Sequence, residues 1–128
     1  MTLRSELGII GEDMAVNHLK NNGYIIIGRN FRKPWGEIDI IAKDPIGTLV
    51  FFEIKTIRQS GNLPNGESGI SPEEQVTKAK LKKLIKTCSL YAGERQDLIG
   101  EHGWQIDLLA ILIFDKGFDI KHYSNIVA

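Results

Sequence analysis

Apolar residues recur every three or four positions near the start of the chain, which predicts an amphipathic helix. Asn21, Asn22 and Gly23 then form a stop signal, because glycine readily adopts the left-handed conformation that follows a helix. The stripe that supports the helix consists of Leu3, Leu7, Ile10, Met14 and His18, widened by Ala15 and Leu19.

Three β-branched, apolar runs follow, and each predicts a strand. They span Tyr24 to Gly28, Gly36 to Ala42 and Thr48 to Thr56, with a turn at Asp44-Pro45-Ile46-Gly47 between the last two. A hairpin that is symmetric about Ile46 places Asp39 opposite Glu53 and Glu37 opposite Lys55.

Side chains alternate between the two faces of a strand. In the second strand this rule places Ile38 and Ile40 on one face and Glu37 and Asp39 on the other. In the third strand it separates Val50, Phe52 and Ile54 from Phe51, Glu53 and Lys55.

A polar, glycine-rich stretch from Arg58 to Ser71 predicts a long loop that is disordered without nucleic acid. Ser71-Pro72-Glu73-Glu74 then indicates a helix start, with Ser71 as the cap and Glu74 completing a capping box. The apolar stripe of this helix is Leu81, Leu84, Ile85, Cys88, Tyr91 and Ala92.

The last part of the chain predicts two strands. After a loop from Gly93 to Gly103, Trp104 to Phe114 is almost continuously apolar, which is typical of a central strand buried on both faces. Asp115-Lys116-Gly117 predicts a hairpin turn, and Phe118 to Tyr123 the last strand. The order α-β-β-β-α-β-β indicates one α/β domain over residues 1–128, with a mixed sheet flanked by helices.

The composition limits which binding sites, metal sites and locations we expect for this protein. The formal net charge is zero, so a nucleic-acid-binding face would have to concentrate its positive charge locally. The single cysteine, Cys88, is expected to be a packed core thiol in a reducing compartment. Separated histidines argue against zinc, and neither a signal peptide nor a membrane-spanning run is present, so we expect a cytoplasmic protein without membrane contact.

Candidate chemistry lies on the second and third strands. Two like charges directly opposed on a sheet are destabilising, and a divalent cation between Asp39 and Glu53 would remove that penalty. Carboxylate oxygens suit Mg²⁺, with Mn²⁺ as the alternative. Lys55 could then orient a water or neutralise a phosphate. The alternative is an ordinary solvated strand face, on which such residue types are common.

The sequence also resembles a known family. Asp39 followed by Glu53-Ile54-Lys55 looks like the PD-(D/E)XK motif of restriction-endonuclease-like proteins, and the element order is similar to their core fold. The resemblance is closer to the YraN-like family, which is similar to Holliday junction resolvases, and it covers nearly the whole chain. It is carried by Gly11-Glu12 with Ala15, Gly23-Tyr24, Asn30-Phe31-Arg32, Gly36 to Ile41, Phe52 to Thr56 and Ile106-Asp107.

The resemblance implies roles for individual residues. Asp39, Glu53 and the carbonyl of Ile54 would bind the metal, and Lys55 would be the catalytic lysine. Glu12 would complete the acidic cluster, although a solvated helix-surface glutamate is the equal alternative. Glu37 and Gln75 would be accessory residues. The proline usual before the first acid is replaced, and Gln105 stands where relatives often have arginine, which leaves a structural role open for Asp107.

DNA is the expected partner, with RNA as an alternative, and junction-cutting relatives imply a homodimer. Lys78, Lys82 and Lys86 share one side of the second helix and are candidates for phosphate binding, or else simply keep an exposed helix face soluble. Arg32 and Lys33, with Arg29 and Trp35, are candidates for backbone contact or base stacking. No phosphate-loop motif is present, so no nucleotide cofactor is expected.

Three functions follow from these observations. The first is a Mg²⁺-dependent endonuclease that hydrolyses DNA phosphodiester bonds, acting at linear or branched structures. The second is a non-catalytic nucleic-acid-binding module with the same fold. The third is a protein-interaction domain on which the charged strand face is incidental.

Overall fold

The computed structural model describes residues 5–59 and 76–127, and these fold around one five-stranded sheet. The element order confirms the α/β prediction. The elements are α1 (Glu6–Asn21), β1 (Ile25–Lys33), β2 (Gly36–Lys43), β3 (Leu49–Arg58), α2 (Lys78–Glu94), a 3₁₀ helix (Gln96–Leu98), β4 (Trp104–Phe114) and β5 (Gly117–Tyr123).

The strands follow one another across the sheet in chain order, from β1 to β5. Neighbours are antiparallel except for β3 and β4, which run parallel after the crossover that contains α2. The sheet is therefore mixed, as predicted. β4 lies between β3 and β5 and is buried on both faces from Ile106 to Leu112, as predicted, and β3 occupies the middle of the sheet.

One helix covers each face of the sheet. Ala15, Val16 and Leu19 of α1 pack against one face, in a core that includes Ile40 and Phe52. On the other face, α2 contributes Leu84, Cys88, Tyr91 and Ala92 to a core with Ile38, Ile41, Phe51 and Ile106. Cys88 is fully buried there, which confirms the predicted core thiol.

Local signals define both helices. Ser5 Oγ accepts the N–H of Gly8 at the start of α1, and Gly23 has a φ of +85° just beyond its end, as its sequence predicts. The described start of α2 lies beyond the predicted one. The helix that carries the Leu84 stripe begins at Lys78, and Thr77 Oγ1 caps it by accepting the N–H of Lys80. Ser71 to Glu74 lie outside the described residues.

The first strand is longer than predicted. It continues past Gly28 to Lys33, which pairs with Gly36 of β2. The polar continuation was not recognised because an edge strand tolerates charged residues that a central strand excludes. The register shifts by one residue between Ile26 and Gly28, which is a β-bulge. The predicted loop after α2 also differs, since the helix extends to Glu94 and a 3₁₀ turn follows.

The hairpin between β2 and β3 has the predicted register. Ile40 pairs with Phe52 and Lys43 with Leu49, as symmetry about Ile46 requires. The turn is held by Asp44 Oδ1, which accepts the backbone N–H groups of Ile46 and Thr48. Among the described residues, the ladder ends at the Ile40–Phe52 pair, so Asp39 and Glu53 lie just beyond it.

The predicted alternation fails in β2. Ile38 packs under α2 whereas Ile40 packs under α1, so they do not share a face. The break lies opposite Asn30 of β1, whose φ of +53° is in the left-handed region. Because the strands are irregular there, period-two alternation no longer applies. The prediction that Val50, Phe52 and Ile54 share one face of β3, opposite Phe51, is confirmed.

Two glycines permit close approach of the helices to the sheet. A Cβ on Gly11 of α1 would overlap Oγ1 of Thr56 in β3, and one on Gly36 of β2 would overlap Oγ1 of Thr87 in α2. Both contacts lie at the end of the sheet where the β2–β3 ladder ends. The helices can therefore bring their side chains to the predicted site.

Candidate active site

The candidate site lies where β2 and β3 diverge. Asp39, one residue beyond the ladder, accepts the backbone N–H of Ile54 through Oδ2 at 2.8 Å. This hydrogen bond replaces the backbone partner that a continued ladder would have supplied. It fixes the Asp39 carboxylate between the two strands.

A cleft of about 280 Å³ opens on the α1 side of this point, and we call it the acidic cleft. Its lining includes side chains from α1, β1, β2 and β3. It thus collects three predicted acids and the predicted lysine, together with a threonine and an asparagine: Glu12, Asn30, Glu37, Asp39, Lys55 and Thr56.

Glu12 points into the protein rather than into solvent. It is 4% exposed, and its Oε1 accepts hydrogen bonds from Arg29 Nε at 3.1 Å and Asn30 Nδ2 at 2.9 Å. Consecutive strand residues normally face opposite sides, so both can reach one carboxyl group only because the left-handed backbone of Asn30 breaks the alternation. The same Arg29 also pairs with Asp13 at 2.6 Å.

Glu53 approaches from the α2 side. It lines a groove of about 240 Å³, which we call the helix groove, together with Glu37, Lys80, Lys83 and Thr87. Desolvation and, after it, the negative charge of Asp39 raise the pKa of Glu53 to about 8 from an ordinary 4.5. The positive charges of Lys80 and Lys55 act in the opposite direction. The Glu53 carboxyl therefore holds a proton that a cation could replace.

The donor set is one of hard oxygens. Across residues 5–59 and 76–127, no group of three or more His, Cys, Asp or Glu side chains is arranged to hold a metal ion. Mg²⁺ needs fewer protein ligands, because it commonly binds one or two carboxylates and keeps several waters. Asp39 and Glu53 offer two such carboxylates, and the negative charge of Asp39 acts on Glu53.

The predicted nucleic-acid contacts are divided between two places. Arg32 and Lys33 line a hollow beside the β1–β2 turn, next to the acidic cleft. The lysines at positions 78, 82 and 86 are exposed on α2, outside the lining of the acidic cleft and the helix groove. Gln75 and loop residues 60–71 lie outside the described residues.

Sequence reasoning missed Lys80 and Lys83, which line the helix groove with Glu53. Lys80 lies one turn before the buried Leu84, a spacing that places it on the sheet-facing side of α2. The spacing from Leu84 could have identified Lys80 as a site residue. Attention went instead to the lysines at positions 78, 82 and 86, which repeat every four residues on the exposed side of the helix. The roles of Arg29 and Asn30 in holding Glu12 carried no comparable signal.

Asp107 is a structural residue. It is 1% exposed and accepts hydrogen bonds from Gln105 Nε2 and from the backbone N–H of Asn125, each at 2.8 Å. Its Oδ2 also lies 2.7 Å from Nε2 of His122. These contacts tie β4 to β5 and to the chain that follows, away from the lining of the acidic cleft.

Within the described ranges, no helix is long and apolar enough to cross a membrane.

Residues 11–114 match the model of the family described as "Uncharacterised protein family UPF0102".

Three relatives, each named UPF0102 protein, show the same family. The protein of Persephonella marina is 41% identical over 113 residues, covering 88% of this chain and 87% of the relative. The protein of Clostridium botulinum strain Loch Maree is 45% identical over 122 residues, covering 94% and 92%. The protein of Alkaliphilus oremlandii is 34% identical over 127 residues, covering 96% and 98%. The YraN-like part of the resemblance is thereby confirmed, and the chain belongs to the UPF0102 family.

Proposed function

We propose that this protein is a Mg²⁺-dependent nuclease of the PD-(D/E)XK type that hydrolyses DNA phosphodiester bonds. One observation carries the proposal: Asp39 and Lys55 share a cleft at the point where β2 and β3 separate, and the negative charge of Asp39 raises the pKa of Glu53 in the neighbouring helix groove. Two residues of the motif thus share the acidic cleft, and the third lines the helix groove, which shares Glu37 with that cleft.

The metal would be held by Asp39 and Glu53, with the Ile54 carbonyl as a further candidate. When bound, a divalent cation polarises the scissile phosphate and lowers the pKa of a water. Because Glu53 has its pKa raised to about 8, cation binding would release its proton near neutral pH. Without a cation, the Glu53 carboxyl group would stay protonated at neutral pH; with a cation bound, it would be ionised, and the cation would balance its negative charge.

The remaining residues of the acidic cleft would position the substrate and neutralise its negative charge. Lys55, half-buried in the acidic cleft, supplies a positive charge where a phosphate oxygen would gain negative charge. Glu12 is held rigidly by Arg29 and Asn30, so it presents a fixed carboxyl group at the wall of the same cleft. Asn30 and Thr56 add neutral hydrogen-bonding groups that can orient a water or the substrate backbone.

The proposal is tested by incubating the protein with labelled linear, flapped and four-way DNA, in Mg²⁺, in Mn²⁺ and in EDTA. We expect cutting of at least one substrate with either metal, none in EDTA, and none by Asp39→Asn. That substitution retains an oxygen that can accept the Ile54 N–H, so it removes the charge without removing the hydrogen bond. Asp119→Asn, at a partly exposed position of β5 outside the lining of the acidic cleft and the helix groove, is the control and should cut normally.

A second candidate, a non-catalytic nucleic-acid-binding module, is favoured by two observations. Within the described residues the acids do not form a preassembled three-ligand metal cluster, and Asp39 already accepts a backbone N–H. This alternative predicts salt-dependent DNA binding without cutting under any metal condition. The same substrate panel separates the two functions.

A further inference from the structure

A third recess adjoins the candidate site at the β1–β2 turn, and we call it the hairpin hollow. It has a volume of about 420 Å³ and is lined by Arg32, Lys33, Pro34, Trp35, Gly36, Glu37 and Lys83. Glu37 also lines both the acidic cleft and the helix groove, so the three recesses are contiguous. A chain-like ligand in the acidic cleft could therefore continue into the hollow.

The aromatic residue in this hollow is unusually placed. Trp35 occupies a two-residue turn between the paired Lys33 and Gly36 and is 45% exposed. Tight hairpin turns favour residues with positive φ, such as Asn and Gly, and the positive φ values among the described residues do not include this turn. Neither turn geometry nor core packing accounts for a large, partly exposed indole here.

The charges around Trp35 select the ligand. Three cationic side chains and one carboxylate line the hollow, although the whole chain is neutral. Lys33 Nζ lies 5.5 Å from the centre of the Phe31 ring, which keeps its positive charge beside the hollow, and Arg32 Nε lies 3.7 Å from Glu37. An aromatic platform flanked by cations is the combination that binds unpaired bases together with their phosphates.

We infer that the hairpin hollow binds an unpaired nucleotide of a DNA strand, with its base stacked on Trp35 and its phosphates near Lys33 and Lys83. For the identity of the polymer, this inference rests on the proposed nuclease function. A base within a duplex is stacked on both sides and cannot occupy the hollow. The protein would thus favour substrates that have single-stranded nucleotides beside the bond to be cut.

Binding is tested without metal, so that cutting plays no part. The chain has two tryptophans, and Trp104→Phe leaves Trp35 as the single fluorophore while keeping a ring against Phe51. In this background, we expect a short oligothymidine strand to quench the fluorescence of Trp35. Trp35→Ala in the natural chain should weaken oligothymidine binding about tenfold, and Trp35→Phe should weaken it less.

Two controls make the result specific. Affinity for a blunt duplex should be unchanged in Trp35→Ala, and Lys20→Ala, at the far end of α1, should leave oligothymidine binding unchanged. The inference is overturned if oligothymidine leaves Trp35 fluorescence unaltered, or if Trp35→Ala binds single strands as tightly as the natural protein. Base stacking by a protein that cuts nothing would instead overturn the nuclease proposal and leave this inference standing.

Discussion

The carboxylate of Asp39 accepts a 2.8 Å hydrogen bond from the backbone N–H of Ile54, where the β2–β3 ladder ends. One side chain thereby does two things. It satisfies a backbone donor that the diverging strands leave without a ladder partner, and it is held at the edge of a cleft that also contains Glu12 and Lys55. Asp39 therefore contributes both to the stability of the fold and to the proposed site. Substitutions that keep the hydrogen bond but remove the charge can separate these two roles.

Asp39→Ala should destabilise the protein, whereas Asp39→Asn should not. Alanine leaves the half-buried Ile54 N–H without its acceptor, which costs about 1–3 kcal/mol of the free energy of unfolding. Asparagine keeps an acceptor oxygen and removes only the charge. Urea unfolding of the two variants in EDTA measures the difference, and equal stabilities would show that the hydrogen bond contributes nothing.

Glu53 should make the metal-free protein less stable as the pH rises. Its pKa is about 8 in the folded chain and near 4.5 when unfolded, so between these values the folded state binds one more proton. The free energy of unfolding then falls across this range and is constant beyond either end. Glu53→Gln removes the contribution, so the variant should gain stability relative to the natural protein from pH 4.5 to 8. Denaturant unfolding in EDTA at several pH values tests this, and a difference that does not change with pH would contradict it.

Gly11→Ala and Gly93→Ala should have opposite effects, although both are glycines within helices. The new methyl at position 11 would overlap Thr56 and push α1 away from β3, at a cost of about 1–3 kcal/mol. At position 93 a Cβ meets no described atom within 4 Å, so the higher helix propensity of alanine should stabilise by roughly 0.5–1 kcal/mol. Thermal unfolding of both variants measures the signs, and a stabilised Gly11→Ala would refute the close contact.

Asp107→Ala should lower stability by about 3 kcal/mol, because it leaves His122, Gln105 and the Asn125 N–H without their buried acceptor. Asp119→Ala, whose carboxylate on β5 is 47% exposed, is the matched control and should stay within about 0.5 kcal/mol. Mg²⁺ affinity, measured by calorimetry on the folded variant, should be unchanged. Loss of Mg²⁺ binding in folded Asp107→Ala would instead place this residue in the metal site.

The hairpin register could be predicted from the sequence because the Asp44–Gly47 turn is formed by residues that are adjacent in the chain and typical of turns. The sequence did not reveal the left-handed Asn30, since that conformation depends on the hydrogen bond to Glu12 and on the neighbouring strand. The break in alternation at Ile38 has the same origin. Strand periodicity therefore predicted the face of every core residue named in β3 but failed in β2, next to the site.

The full set of residues at the candidate site could be predicted only in part, because some of them are brought there by contacts between elements that are distant in sequence. Asp39, Glu53 and Lys55 could be chosen because the hairpin register opposes Asp39 to Glu53 and because the three residues resemble a known motif. The burial of Glu12 depends on how closely α1 approaches β3 at Gly11, which is a tertiary contact. The spacing of Lys80 from Leu84 indicates which side of α2 it lies on, but its place beside Glu53 depends on how α2 packs against the sheet.

The proposed nuclease activity is decided by the rate of DNA cleavage under single-turnover conditions in Mg²⁺, measured for four proteins on the best substrate of the panel. The natural protein should cut, and Asp39→Asn and Lys55→Ala should each be slower by about 100-fold or more while remaining folded. Lys116→Ala, in the exposed β4–β5 turn, should cut at the natural rate. Cleavage that survives both Asp39→Asn and Lys55→Ala would exclude the proposed site, and a natural protein that binds DNA and cuts none of the substrates would exclude the nuclease function.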